Sequence, residues 1–237
     1  MGIGCNISDL TAKLGYSFCD ITYLQTALTH SSYSNEMRSR GFRAESNESL
    51  EFLGDAVLQI VISEVLYDKF RKLGEGTLTK YRQSLVCEKT LSAIAEGIEL
   101  GKYLNVGTGE EVMNIRQRPK VLADALEAVI AAVYLDDREN GRGTLYFAVI
   151  YNLFSTVIEN VISGGNQDYK SILQQFVDKN AESVLTYTYE ESGPEQQKTF
   201  TATAYINNNK VGVGVGSTKR MAETEAAKAA LKLFGII

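Results

Sequence analysis

Residues 47–62 read NESLEFLGDAVLQIVI, and the reading of this stretch decides the fold of the chain around it. Leu50, Phe52, Leu53, Ala56, Val57, Leu58, Ile60, Val61 and Ile62 fall on nearly every side of a helix, the pattern of a helix enclosed by a core. Glu48, Glu51 and Asp55 nevertheless lie within it. At about 100° per residue the three acids project inside one arc about 60° wide. An unpaired carboxylate in a core costs several kcal/mol or takes up a proton, so this stripe demands a compensating partner.

A second apolar segment, VLADALEAVIAAVYLD (121–136), carries Asp124 and Glu127 three residues apart on one helical face. The same stripe continues through Ala128 and Ala131, small enough to let a backbone or a ligand come close. Two apolar helices with acids on narrow stripes offer the hard oxygen donors that Mg²⁺ requires. A solvated acidic face is the competing reading, but the neighbouring residues are too apolar for it. No Lys or Arg lies between Arg43 and Lys69 to pair with the first stripe. A network with distant arginines fits the same residues, so on chemistry alone a metal site and an ion-pair network both remain open.

The 237 residues suffice for one or two domains with proper cores, and 44% hydrophobic with 22% charged content excludes a disordered or fibrous chain. The first residues show no basic region followed by a long apolar run, and Asn6 stands where a myristoylation signal needs Ser or Thr. The longest apolar run, Ala128 to Leu135, is too short to span a bilayer, so no membrane partner and a cytoplasmic location are expected. Cys5, Cys19 and Cys87 are odd in number and form no CxxC pair, which suits free thiols in a reducing compartment.

The pattern up to about Ser163 is helical, with segments at Leu50–Phe70, Thr90–Ile98 and Val121–Leu135, and with Pro119 at a helix start. Gly164 to Gln167 reads as a short linker. A helix at DYKSILQQFVDKN (168–180) follows, then three runs of alternating character: Leu185, Tyr187, Tyr189; Phe200, Ala202, Ala204, Ile206; and Val211, Val213, Val215. Gly193-Pro194 and Asn207 to Asn209 mark the turns. A last helix, Thr218 to Leu233, presents Ala226, Ala229, Ala230 and Leu233 on one face. The expected fold is an all-α domain over 1–163 followed by a small α+β module, α-β-β-β-α, over 168–237.

Charge is distributed unevenly between these parts. The net charge of −5 argues against a nucleic-acid partner only when taken globally. From Asp168 onward eight basic residues balance eight acidic ones, so any phosphate-binding surface there depends on local clustering and helix ends.

The segments ALTHSSYSNEM (27–37), NESLEFLGDAVL (47–58), EGTLTKYRQSLVCEKTL (75–91) and VLADALEAVIAAVYLD (121–136) resemble, in order and spacing, the successive motifs of the ribonuclease III family. GPEQQKTFTATAYI (193–206) and GVGVGSTKRMAETEAAKAAL (212–231) resemble a double-stranded RNA-binding domain. The resemblance covers essentially the whole chain. It implies an endonuclease that binds Mg²⁺, with Mn²⁺ tolerated, through Glu51, Asp55, Asp124 and Glu127, of which Asp55 and Glu127 are the most critical to catalysis. The implied reaction is hydrolysis of double-stranded RNA to 5′-phosphate and 3′-hydroxyl ends, in ribosomal and messenger RNA processing. Glu48 and Glu75 match accessory acidic positions near the cleavage site, although a plain loop residue also explains Glu75. Phe52 matches a homodimer-interface position, where a core phenylalanine is the competing reading. A two-fold dimer would cut each strand once and leave staggered ends.

For the RNA module the resemblance implies contacts from Gln174 and Gln175 to 2′-hydroxyls and from Lys219 and Arg220 to phosphate. The loop position that commonly holds His in the family is Gln196 here, and Gln175 replaces a frequent Glu. His30, the single histidine, reads as structural. A non-catalytic RNA-binding scaffold is the alternative function, and a dimerisation module with a metal site for another phosphate substrate is a third.

Overall fold

The computed structural model describes residues 6–71, 73–163, 169–178, 183–194 and 198–237. The expected linker lies outside the described residues. Packing divides the chain into two compact units, one built from residues up to 66 with 81–160, the other from 67–80 with 161–237.

In the first unit, short helices α1 (Ile7–Leu14), α2 (Ile21–Ala27) and α3 (Ser31–Ser39) precede α4 (Glu48–Lys69). Their starts follow from the sequence. Asn6 and Asp20 accept backbone N–H bonds from Ser8 and Thr22, and His30 caps α3 by accepting from the Ser32 N–H at 3.2 Å. After α5 (Glu75–Leu85), whose residues up to Lys80 belong to the second unit, come α6 (Glu88–Gly97), α7 (Thr108–Val112), α8 (Pro119–Glu139) and α9 (Leu145–Ser163). Pro119 stands in the first turn of α8, where a missing N–H costs nothing. The middle of α8 is buried on nearly every side, from Leu122 to Val133, and α2 and α6 pack against it. Near its far end Asp136, fully enclosed, accepts bonds from the Tyr16 hydroxyl at 2.8 Å and from the backbone of Cys19 and Asp20 at 3.1 and 2.7 Å.

α4 departs from the enclosed helix expected of it. Val57, Leu58, Val61, Ile62, Val65 and Leu66 are buried, but Phe52 is 82% exposed and Ile60 66%. Phe52, Ala56 and Ile60 are four residues apart, so one apolar stripe faces solvent in the single chain while the opposite face fills the core.

In the second unit, α10 (Tyr169–Asp178) buries Tyr169, Ile172, Leu173 and Val177. The strands β1 (Leu185–Ser192), β2 (Thr199–Ile206) and β3 (Asn209–Gly216) form an antiparallel sheet in chain order, covered by α11 (Lys219–Leu233). Asn207 and Asn208 both take positive φ, the two-residue hairpin turn that asparagine tolerates. Ala202, Ala204, Ala222 and Ala226 form the core between sheet and helix.

The alternation in β3 turns its glycines toward the helix. Val213 and Val215 are 39% and 55% exposed, and the glycines between them face the helix. A β-carbon on Gly212 would stand 2.2 Å from the Ala226 carbonyl oxygen, and one on Gly214 2.1 Å from the Ala226 nitrogen. The sheet and α11 therefore meet almost backbone to backbone, which only small residues allow. Leu233 is also turned outward, at 67% exposure, because Ala222, Ala226, Ala227, Ala230 and Leu231 make the buried face of α11.

Candidate metal centre and nucleic-acid interface

The acids come together because α4 and α8 touch. A β-carbon on Gly54 would lie 1.8 Å from the backbone oxygen of Glu127, so the helices cross at that glycine. Glu51 lies one turn before the crossing and Asp55 directly after it, while Asp124 and Glu127 flank it from α8. Single carboxylate oxygens of Glu51, Asp124 and Glu127 all lie within 4.8 Å of one another, and each of these residues is half-buried. Ala128 and Ala131, further along the same stripe, are fully buried in the core.

Two polar neighbours that sequence reasoning missed each hold one acid. The Lys120 Nζ stands 3.2 and 3.1 Å from the two Asp124 oxygens, and the Gln59 Nε2 donates to both Asp55 oxygens at 3.0 Å. Both are four residues from their partner, a spacing that was legible in the chain. Asp55 is not among the three residues of the cluster. Glu48, at the start of α4, accepts from the Ser46 hydroxyl at 2.9 Å, also outside the cluster.

The remaining two acids carry the electrostatic strain. Burial pushes the Glu127 carboxyl up to about 7, and the charges of Asp55, Asp124 and Glu51 add to it against a smaller opposing effect of Lys120. Burial raises Glu51 as well, helped by Asp124 and Glu48 and opposed by Lys120. Convergent, partly desolvated carboxylates that repel one another suit a hard divalent cation, which would relieve both the repulsion and the proton uptake. The donor set therefore fits a hard divalent cation.

His30 takes part in a scaffold. Its Nδ1 lies 2.8 Å from the Ser32 hydroxyl oxygen, which accepts the Gly107 N–H at 2.9 Å. Glu75, which opens α5 and is exposed, accepts from the Thr79 hydroxyl at 3.2 Å.

In the second unit Lys219 and Arg220 are exposed in the first turn of α11, which Thr218 caps by accepting from the Met221 N–H at 3.2 Å. Lys219 is partly engaged already: its Nζ is 3.2 Å from Glu191 and lies over the rings of Tyr189 and Phe200. Gln174 and Gln175 are both exposed on α10. The first donates to Asp178 at 2.7 Å, and the side-chain oxygen of the second accepts from the Thr77 hydroxyl at 3.1 Å. Gln196 lies outside the described residues.

Residues 20–144 match the family model described as Ribonuclease-III-like. The chain belongs to the ribonuclease III family. Residues 169–233 match the double-stranded RNA binding motif. The chain is 44% identical over 230 residues to "Ribonuclease 3" of Caldanaerobacter subterraneus, covering 96% of this chain and 98% of that one. It is 43% identical over 225 residues to "Ribonuclease 3" of Desulforamulus reducens, covering 94% and 89% respectively. A solved nuclease domain of ribonuclease III from Campylobacter jejuni is 39% identical, with a TM-score of 0.55 over 63% of this chain and 99% of that one. This ribonuclease III family member is an endoribonuclease, with a helical nuclease domain ahead of a double-stranded RNA-binding domain. Among the described residues no helix is long and apolar enough to cross a membrane.

Proposed function

We propose that this endoribonuclease cleaves double-stranded RNA by Mg²⁺-dependent phosphodiester hydrolysis, as a homodimer, in the processing of ribosomal and messenger RNA in the cytoplasm. The observation that carries the proposal is the convergence of Glu51, Asp124 and Glu127 within 4.8 Å, with Glu127 raised to about 7. Glu51, Asp55, Asp124 and Glu127 would hold the cation, with Asp55 and Glu127 the residues on which turnover depends most. The bound cation supplies an acidified water as nucleophile and charge stabilisation for the departing 3′ oxygen, which leaves a 5′ phosphate and a 3′ hydroxyl.

The chain's own residues prepare that chemistry. Gly54 brings the two acidic stripes together, and α4 and α8 are rigid elements that hold the geometry. Near neutral pH Glu127 divides its time between carboxyl and carboxylate, so its proton leaves readily when positive charge arrives. Glu48 and Glu75 are accessory positions toward the RNA. Boundaries at 163 and 168, with a linker between, suit a nuclease domain joined to an RNA-binding module.

The dimer reading rests on the exposed stripe of Phe52, Ala56 and Ile60 and on the Campylobacter jejuni nuclease domain, described as having a region involved in dimer formation. Two sites about a two-fold axis would leave staggered ends. In the RNA module, Lys219 and Arg220 meet phosphate at the positive end of α11 while Gln174, Gln175 and Gln196 reach 2′-hydroxyls along the minor groove.

The experiment is a long RNA duplex incubated with the protein in Mg²⁺, in chelator, and with a Glu127→Ala variant. Cleavage in Mg²⁺ alone is expected, with loss of several kcal/mol of transition-state stabilisation in the variant, roughly 10³-fold in rate. A wild-type protein that binds the duplex in Mg²⁺ and leaves it intact would be a scaffold, and the proposal would fall.

A further inference from the structure

Of the four acids at the crossing of α4 and α8, Asp55 alone has its carboxylate fixed by an uncharged donor. One amide nitrogen, the Gln59 Nε2, lies 3.0 Å from both Asp55 oxygens, a symmetric arrangement that pins the carboxylate plane. One turn further along α4 the Ser63 hydroxyl donates to the Gln59 backbone carbonyl oxygen at 2.6 Å, and the Arg82 Nη1 on α5 donates to that hydroxyl at 3.1 Å. Asp55, Gln59 and Ser63 thus form one polar stripe, four residues apart, running from the acidic cluster to a guanidinium on another helix.

We infer that Gln59 is a positioning residue of the catalytic site, holding the Asp55 carboxylate at the edge of the Glu51, Asp124 and Glu127 cluster so that it meets a hydrated Mg²⁺ already oriented. The inference rests on the metal reading proposed above and adds to it how one of the four acids is prepared. Mg²⁺ gives up its waters reluctantly and takes few direct carboxylates, so a fourth acid serves best when aimed at the hydration shell. A carboxylate without its donor keeps its side-chain freedom until the cation arrives and must be ordered then, against the cation's affinity. Outer donors of this kind typically change metal affinity by about 10–100-fold when removed.

The test measures Mn²⁺ binding to the full chain without RNA by electron paramagnetic resonance, for wild type, Gln59→Leu, Gln59→Glu, Asp55→Asn and the Asp55→Asn/Gln59→Leu pair. Thermal unfolding without metal checks that each variant folds, and Gln59→Glu, which keeps the shape and loses the donor, carries the test if Gln59→Leu does not. The expected result is a dissociation constant raised roughly tenfold in Gln59→Leu and further in Gln59→Glu. Once Asp55 is already Asn, replacing Gln59 should change the constant by less than about twofold, because the two residues act as one unit. Wild-type affinity in both Gln59 variants would overturn the assignment while leaving the metal reading intact. An equal loss in the Asp55→Asn background would overturn it too, since Gln59 would then act through something else. A wild-type protein that takes up no Mn²⁺ would overturn the metal reading and this inference together.

Discussion

Gly54 and Glu127 meet so closely that a β-carbon on the glycine would stand 1.8 Å from the glutamate's carbonyl oxygen. The two acid-bearing helices therefore touch at this glycine, between Glu51 and Asp55 on one side and beside Glu127 on the other. Gly54→Ala must push α4 and α8 apart, at a cost of about 3 kcal/mol. That should appear as a Tm lowered by roughly 6–12 °C, with weaker cation binding although no acid has been removed. An unchanged melting curve would show that the helices do not cross here.

The pH dependence of the metal-free protein follows from Glu127. Its folded pKa of about 7 lies above its ordinary value of 4.5, so between the two the folded state holds more protons than the unfolded one. Stability from this group is present at and below pH 4.5 and is lost as pH rises through 7. Glu51, raised for similar reasons, acts in the same direction. Thermal melts in chelator from pH 5 to 8 should fall, and Glu127→Gln should flatten the decline. Cation uptake runs the other way, improving as pH rises through 7, because proton and cation compete for the same oxygens.

Lys120 lowers the pKa of both Glu51 and Glu127 through its charge, yet its own pair with Asp124 is a surface contact at i,i+4. Lys120→Ala should change stability by less than about 0.5 kcal/mol. It should nevertheless move the pH midpoint of Mn²⁺ uptake upward. A titration of Mn²⁺ binding against pH in both proteins decides this, and coincident midpoints would remove Lys120 from the electrostatics of the site.

In the RNA module Gly214→Ala places a methyl 2.1 Å from the Ala226 nitrogen and 2.4 Å from the Ala222 oxygen. A domain this small has only a few kcal/mol of stability to lose, and a clash of about 3 kcal/mol would unfold it. Retention of duplex RNA on a gel should vanish while Mn²⁺ binding persists. Val213→Thr, at an exposed position of the same strand, is the control and should retain RNA.

Much of this was legible in the chain. The helical and strand-rich regions follow from periodicity, and the acids stand on narrow stripes of two apolar helices, whereas the cluster of Glu51, Asp124 and Glu127 depends on how those helices cross. What escaped was set by packing between elements. The spacing of Phe52, Ala56 and Ile60 gave no sign that this side of α4 faces outward, since an apolar stripe reads the same against a core or against solvent. The same holds in β3, where alternation fixes two faces of a strand but not which one a helix covers. Here the helix needed the glycines. Gln59 and Lys120 stand four residues from their acids, but an amide or ammonium at that spacing on a helix pairs with a carboxylate only when both side chains turn the same way, which packing decides.

The enclosed carboxylate of Asp136 has a consequence for how the nuclease region forms. Its donors from Tyr16, Cys19 and Asp20 lie 120, 117 and 116 residues away in the chain. Until that long loop closes, the end of α8 carries an anion that no dry environment will accept. Closing the loop and burying the helix end are therefore a single cooperative event, and one that comes late, because contacts so distant in sequence are slow to find. The rod that bears Asp124 and Glu127 at one end is thus secured at the other by residues synthesised first, and the site takes its working shape only when both ends of the nuclease region have met.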